Sequence, residues 1–285
     1  MSFVSWSYYL FLAVLLLLYY ILPRRICWAA LLAASLLFSL QFSVYSTIWL
    51  VATSAFSYLA ALAIVHYKQK GSYAAAKSVL LWSLLLLFGS LFLIKYLPLL
   101  SELWEKSARA NEGKQIVPYM SIVLPVGISF YLLQVTGYLI DVYRQKTGFI
   151  RHFGHYCLSV SFFAKLAQGP VTPVGQLAPQ FAVRKAIDPA ALRSGCFRML
   201  AGLIKKVVIA DRLAVIANNV FAKSFEMNAL SICIGIVFYS FQLYADFSGY
   251  TDIAIGSAQL FGISLPENFR QPYLARSIAD RKSVV

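Results

Sequence analysis

"YYLFLAVLLLLYYIL", running from Tyr8 to Leu22, decides the fold class. It holds no charged residue. With the Ser/Trp/Val residues before it, it reaches the ~20 residues a helix needs to cross hydrocarbon. A cleaved signal peptide has positive charge before its apolar core and small residues after it. Here no Lys or Arg precedes the core, and Arg24 and Arg25 follow it. The segment therefore reads as a permanent first span with its N-terminus outside.

The rest of the chain extends this pattern. Of 285 residues, 60% are hydrophobic and 13% charged, and the mean hydropathy is +0.70. A soluble domain is roughly half apolar and about a quarter charged. Apolar runs predict helices near 4–22, 26–43, 46–65, 78–100 and 116–140. Loop 23–25 carries Arg24 and Arg25, loop 44–45 no charge, and loop 66–77 carries Lys68, Lys70 and Lys77. In loop 101–115 three cations meet three carboxylates. The next polar stretch has Arg144, Lys146 and Arg151 against Asp141. Basic loops alternate with neutral ones, so each basic loop falls in the cytoplasm if the N-terminus is outside. The same bias accounts for the net charge of +14, with anionic lipid headgroups rather than nucleic acid as the counterpart. Cys27, Cys157, Cys196 and Cys233 are far apart and form neither metal spacing nor a disulfide framework.

Past residue 150 the texture changes. "SFFAKLAQGPVTPVGQLAPQF" gathers Gly169, Pro170, Pro173, Gly175 and Pro179, which a regular spanning helix would not survive. It is either a surface loop or a re-entrant, broken segment, and its apolar flanks favour the second. Asp188 and Pro189 suit the N-cap and first position of a helix. Within that helix Lys205, Lys206, Asp211 and Arg212 interrupt apolar residues, the pattern of an interfacial helix whose cations reach headgroups. A further span or span pair covers roughly 228–263.

That last region contains "FYSFQLYADFSGYTDIAIG", Phe238 to Gly256, with Gln242, Asp246, Ser248 and Asp252. A bare carboxylate at mid-bilayer costs about 2.5–3.5 kcal/mol. The six-residue spacing turns an ideal helix by ~600° and leaves Asp246 and Asp252 about 120° apart. They do not form a paired acid/base unit on one face. They either border a polar cavity or are structural carboxylates, one capping a broken helix and one paired to Arg or Lys. Gly249 and Gly256 permit a close backbone approach or a break. Pro266 is expected to end this helix, followed by the polar run Asn268, Arg270 and Gln271. Arg270 suits an anionic donor or, alternatively, Glu267 or a lipid phosphate.

At "YADFSGYTDIAIGSAQLFGISLPENFRQPYLARSI" the chain resembles the membrane-bound O-acyltransferase family. The bacterial branch with the alginate O-acetylation and teichoic acid D-alanyl transfer proteins is the nearer likeness. "LPVGISFYLLQVTGYLIDVYR", "AQGPVTPVGQLAPQF" and "GLIKKVVIADRLA" resemble further motifs of that branch, in order. The resemblance implies an all-α, polytopic transmembrane protein with interfacial helices and a re-entrant Gly/Pro-rich segment. It implies one membrane-embedded domain over residues 1–279 in the cell membrane. It also implies acetyl transfer from acetyl-CoA or an acyl carrier on the cytoplasmic side to an extracytoplasmic polysaccharide. Donor and carrier are substrates, and no cofactor or metal is expected. An extracytoplasmic acetyltransferase and membrane lipid are the expected partners.

The family continues into segments bearing its histidines, whereas this sequence turns to "DRKSVV", so residues 280–285 are expected to be a non-native tail. His66, His152 and His155 match none of the family's catalytic positions. No catalytic residue is therefore assigned, and the 285 residues alone are expected to be inactive. Candidate cavity-lining residues are Gln242, Asp246, Ser248, Asp252, Asn268, Arg270 and Gln271. D-alanyl transfer to teichoic acid and a transporter without acyl chemistry are the alternatives, although no inverted repeat supports a transporter.

Overall fold

The computed structural model describes residues 3–110, 125, 127–167, 169–183, 186–223, 227–268 and 273, with the side chains of 97–98 and 101–110 excepted. Of these residues 80% are helical, and none forms a strand. In chain order the helices are α1 (Trp6–Ile21), α2 (Cys27–Leu40), α3 (Val44–Gln69), α4 (Tyr73–Ala110), α5 (Ile128–Tyr143) and α6 (Phe153–Ser161). Then come α7 (Phe163–Leu166), α8 (Val174–Ala182), α9 (Pro189–Leu203), a π-helical segment (Ile204–Ala210), α10 (Asp211–Ala222) and α11 (Ala229–Leu260). Among the described residues, three helices are long and apolar enough to cross a membrane: α3, the Tyr73–Tyr96 part of α4, and α11. The predicted run 228–263 is thus one continuous helix of 32 residues. Residues 116–124 and 126 of the predicted 116–140 helix lie outside the described residues, as does the 280–285 tail.

The fold gathers into two compact units. One holds residues 32–166 and 173–179. Its centre is α3, whose buried face is built of small polar residues, including Ser54 and Ser57. Their hydroxyls donate back to the helix carbonyls of Leu50 and Thr53 at 2.7 Å, so they bring no unsatisfied polarity into an apolar setting. Small side chains also let neighbouring helices approach, and α4, α5 and α6 pack here. Ser57 and the Tyr156 hydroxyl are 2.6 Å apart.

The other unit holds residues 1–31, 167–172 and 180–285. Here α9, the π segment and α10 run along α11, and α1 reaches its C-terminal part. The Tyr8 hydroxyl donates to Ser257 Oγ at 2.8 Å, and that of Tyr20 to the Leu260 carbonyl at 2.8 Å. Asp188 caps α9 as expected, accepting from Ala190 N at 2.9 Å with Pro189 in the first turn. Helix α11 ends earlier than Pro266. The Gly262 N–H bonds to Gln259 O and the Ile263 N–H to Ala258 O, with Gly262 at φ 70°. This Schellman arrangement satisfies the last carbonyls and turns the chain before the proline is reached.

The Gly/Pro-rich stretch is broken, as expected, into α7 and α8 with irregular backbone between. Leu166, Thr172, Val174 and Leu177 are buried, which is not the profile of a surface loop. Lys165 is buried too, and its Nζ has no hydrogen-bond partner among the described residues. A buried, unpaired polar group is destabilising. Lys165→Met is expected to raise stability by about 1–3 kcal/mol, measured as an increased thermal midpoint in detergent. A lowered midpoint would show that the ammonium has an anionic partner.

Candidate functional site

Four glycines set the geometry. An added Cβ on Gly202 would lie 2.6 Å from the carbonyl oxygen of Gly249, and one on Gly249 would lie 2.8 Å from that of Gly202. The same reciprocity joins Gly195 and Gly256, at 2.9 and 2.6 Å. Both pairs are seven residues apart, two turns of helix. So α9 and α11 run antiparallel with their backbones in direct contact. Gly249 and Gly256 therefore serve close approach, and no break occurs in α11.

This closeness brings the charges together. Arg198 lies three residues after Gly195 and Lys205 three after Gly202. On α11, Asp246 and Asp252 flank Gly249 at three residues either side. Arg198 donates to Asp252 Oδ1 from Nη2 at 3.1 Å and from Nε at 3.2 Å, and it also grips Glu267. Lys205 Nζ lies 2.5 Å from Asp252 Oδ2 and donates to Ser248 Oγ at 3.1 Å. Lys206 pairs with Asp246 and, at 3.0 Å, with Asp211. Consecutive lysines thus reach opposite sides of Gly249.

The π segment carries both lysines. Extra-residue turns of this kind occur frequently at functional sites. Burial works against the charge of Lys206, but the hydrogen bonds it donates to Asp246 and Asp211 outweigh it and raise its pKa above the ordinary lysine value. The expectation that these lysines reach outward to headgroups is corrected: the carboxylates of α11 hold them inward. The expectation that one carboxylate caps a broken helix fails as well, because α11 is unbroken and each carboxylate is ion-paired.

Of the candidate residues, Asp246, Ser248 and Asp252 come together in this array. Gln242 lies one turn before Asp246 and is half-buried, as is Asn268. Arg270 and Gln271 lie outside the described residues. Arg198 escaped the sequence reading, although "GCFRMLAGLIKK" repeats Gly-x-x-cation at a seven-residue interval. His152 accepts from His155 N at 3.3 Å and so caps α6, with the two rings stacked at 4.3 Å. Burial, then the neighbouring His152, lowers the pKa of His155.

No family model matches the chain. It is 32% identical to "Probable alginate O-acetylase AlgI" of Pseudomonas syringae pv. tomato over 275 residues, 95% of this chain and 52% of that protein. It is 33% identical to "Peptidoglycan O-acetyltransferase" of Helicobacter pylori over 283 residues, covering 88% of this chain and 51% of that protein. A "Teichoic acid D-alanyltransferase" of Bacillus subtilis is 27% identical over 127 residues, 42% of this chain and 31% of that protein. The chain spans about half the length of the two O-acetylating relatives. With three helices long enough to span, and these relatives, it is a multi-pass membrane protein.

Proposed function

We propose, from the premise that this chain belongs to the membrane-bound O-acyltransferase family, that the protein O-acetylates an extracytoplasmic polysaccharide. The observation that carries this is similarity along nearly the whole chain to two relatives whose names both specify O-acetylation. In this proposal an acetyl group comes from acetyl-CoA or an acyl carrier on the cytoplasmic side. It crosses within the protein and passes to the glycan directly or through an extracytoplasmic acetyltransferase. The D-alanyl alternative rests on lower identity over a shorter part of the chain. The protein sits in the cell membrane with its N-terminus outside.

The ion-paired array acts in this proposal by position. Hydroxyl attack on a thioester needs a base within reach of the reacting proton. Asp252 Oδ1 accepts from Arg198 and Oδ2 from Lys205, so each oxygen is already engaged by a cation of the array and Asp252 is not assigned as that base. We assign Gln242, Asp246, Ser248, Asp252, Asn268, Arg270 and Gln271 to the surroundings of the transfer path, with α9 and α11 as its fixed wall. His66 is exposed at the end of α3, His152 is occupied as a cap and His155 is stacked against it, so none of the histidines here is assigned as the base. The 285 residues alone are expected to give no transfer above background from a thioester donor.

Membranes containing the whole protein, supplied with labelled acetyl donor and with labelled D-alanine in parallel, separate the readings. Acetyl label in base-labile ester linkage to polysaccharide is the expected result. D-alanyl label alone would replace the acetyl proposal, and no label from either source would contradict both. Orientation has its own test. A cysteine placed at Ser72 of a cysteine-free variant is expected to react with an impermeant maleimide only after cells are opened. Labelling in intact cells would invert the topology.

A further inference from the structure

A cleft of about 510 Å³ opens between the C-terminal end of α3 and the loop that follows α5, and none of the ion-paired residues lines it. Its polar lining is Lys68, Gln69, Gln145, Thr147 and Arg151, and no acidic residue lines it. Lys68 donates to the Tyr143 carbonyl and stands 4.5 Å over the Tyr143 ring, which fixes its stem and leaves ammonium hydrogens over. Among the described residues, neither Lys68 nor Arg151 has a carboxylate partner.

The loop is firmly built. Tyr138 Oη accepts from Ile150 N at 3.1 Å, and the Tyr58 hydroxyl donates to Arg151 O at 2.6 Å. Thr147 lies so close to Gly175 that no side chain fits there. The turn itself is the telling feature. Lys146 N bonds to Asp141 O and Gln145 N to Val142 O, the Schellman pattern again. At Gly71 and Gly262 the left-handed position of this pattern is held by glycine. Here it is held by Gln145 at φ 58°, the one non-glycine residue with positive φ among those described. A β-carbon there costs conformational energy that glycine avoids. Its side chain lines the cleft.

We propose that this cleft is a binding site for a phosphate-bearing anion, with Lys68 and Arg151 supplying charge and Gln69, Gln145 and Thr147 supplying hydrogen bonds. Unpaired cations flanking neutral donors match phosphate oxygens, for which Arg offers a fork and Lys a point charge. A glycine at this position would leave the turn intact but remove a donor from the cleft. The phosphate comes either from a lipid headgroup or from a soluble phosphate compound. The assignment rests on the cleft alone and does not depend on the acyl chemistry.

The test uses two probes on the full chain. In detergent it is titrated with inorganic phosphate, with binding read by calorimetry. It is also reconstituted in phosphatidylcholine vesicles with and without phosphatidylglycerol, and retained lipid is read by native mass spectrometry after extraction. Saturable binding of phosphate, or selective retention of phosphatidylglycerol, is expected. The first result identifies a soluble source and the second a headgroup. Lys68→Gln with Arg151→Gln is expected to weaken that binding at least tenfold. Gln145→Gly is expected to weaken it while raising the thermal midpoint, which a purely structural role would not produce. Failure of both probes to bind the parent overturns the proposal. So does binding to a folded double variant, or to Gln145→Gly, that equals the parent's.

Discussion

Gly202→Leu is expected to separate α9 from α11 and leave little folded protein. Overpacking costs about 1–3 kcal/mol where side chains can yield. Here the nearest obstacles include backbone atoms, Gly249 O at 2.6 Å and Ile253 N at 2.9 Å from a Cβ, so the loss should reach or exceed the upper end. Even Gly202→Ala should destabilise, although alanine ordinarily gains about 0.5–1 kcal/mol over glycine within a helix. Gly89 in α4 supplies the control, because nothing lies within 4 Å of its added Cβ. Gly89→Ala should be neutral or stabilising. Thermal midpoints and size-exclusion profiles in detergent check the pair. Equal tolerance at both positions would mean that the helices do not touch at Gly202.

Asp252→Leu should cost about 2–3 kcal/mol, less than the 3–5 expected for breaking a fully buried pair. The discount reflects solvent screening, since the side chains of Asp252, Arg198 and Lys205 are 15%, 22% and 37% exposed. Asp252→Asn should lose about half as much, because the amide oxygen still accepts a hydrogen bond. Asp246→Leu should cost only about 1 kcal/mol, since Lys206 keeps Asp211. Denaturation midpoints for the three variants give the order directly. Equal effects of Asp246→Leu and Asp252→Leu would remove Asp252 from its central place.

The helical class, the order of the first four helices and the cap at Asp188 were legible because each rests on local chemistry: apolar run length, proline, and a short acidic side chain. The carboxylates of α11 were recognisable as anomalies for the same reason, since charge in an apolar run is costly. Their partners were not recognisable. Arg198 lies 54 residues from Asp252, and only the antiparallel glycine contacts bring them together. The seven-residue spacing of Gly195 and Gly202, repeated at Gly249 and Gly256, was the available signal. It implies a shared interface only when both helices are considered at once. Lys165 was not singled out in the sequence, because burial depends on tertiary packing. Gln145 gave no warning either, since its left-handed backbone is set by how α5 ends.

The most direct test of the account is the O-acetyl content of the cell's extracytoplasmic polysaccharide, measured after deletion of the gene for the whole protein and after its return. Loss of base-labile acetyl on deletion is expected. Return of the parent should recover it, and Asp252→Leu or Gly202→Leu should not. Polysaccharide with the same acetyl content whether or not the gene is present would contradict the proposed function.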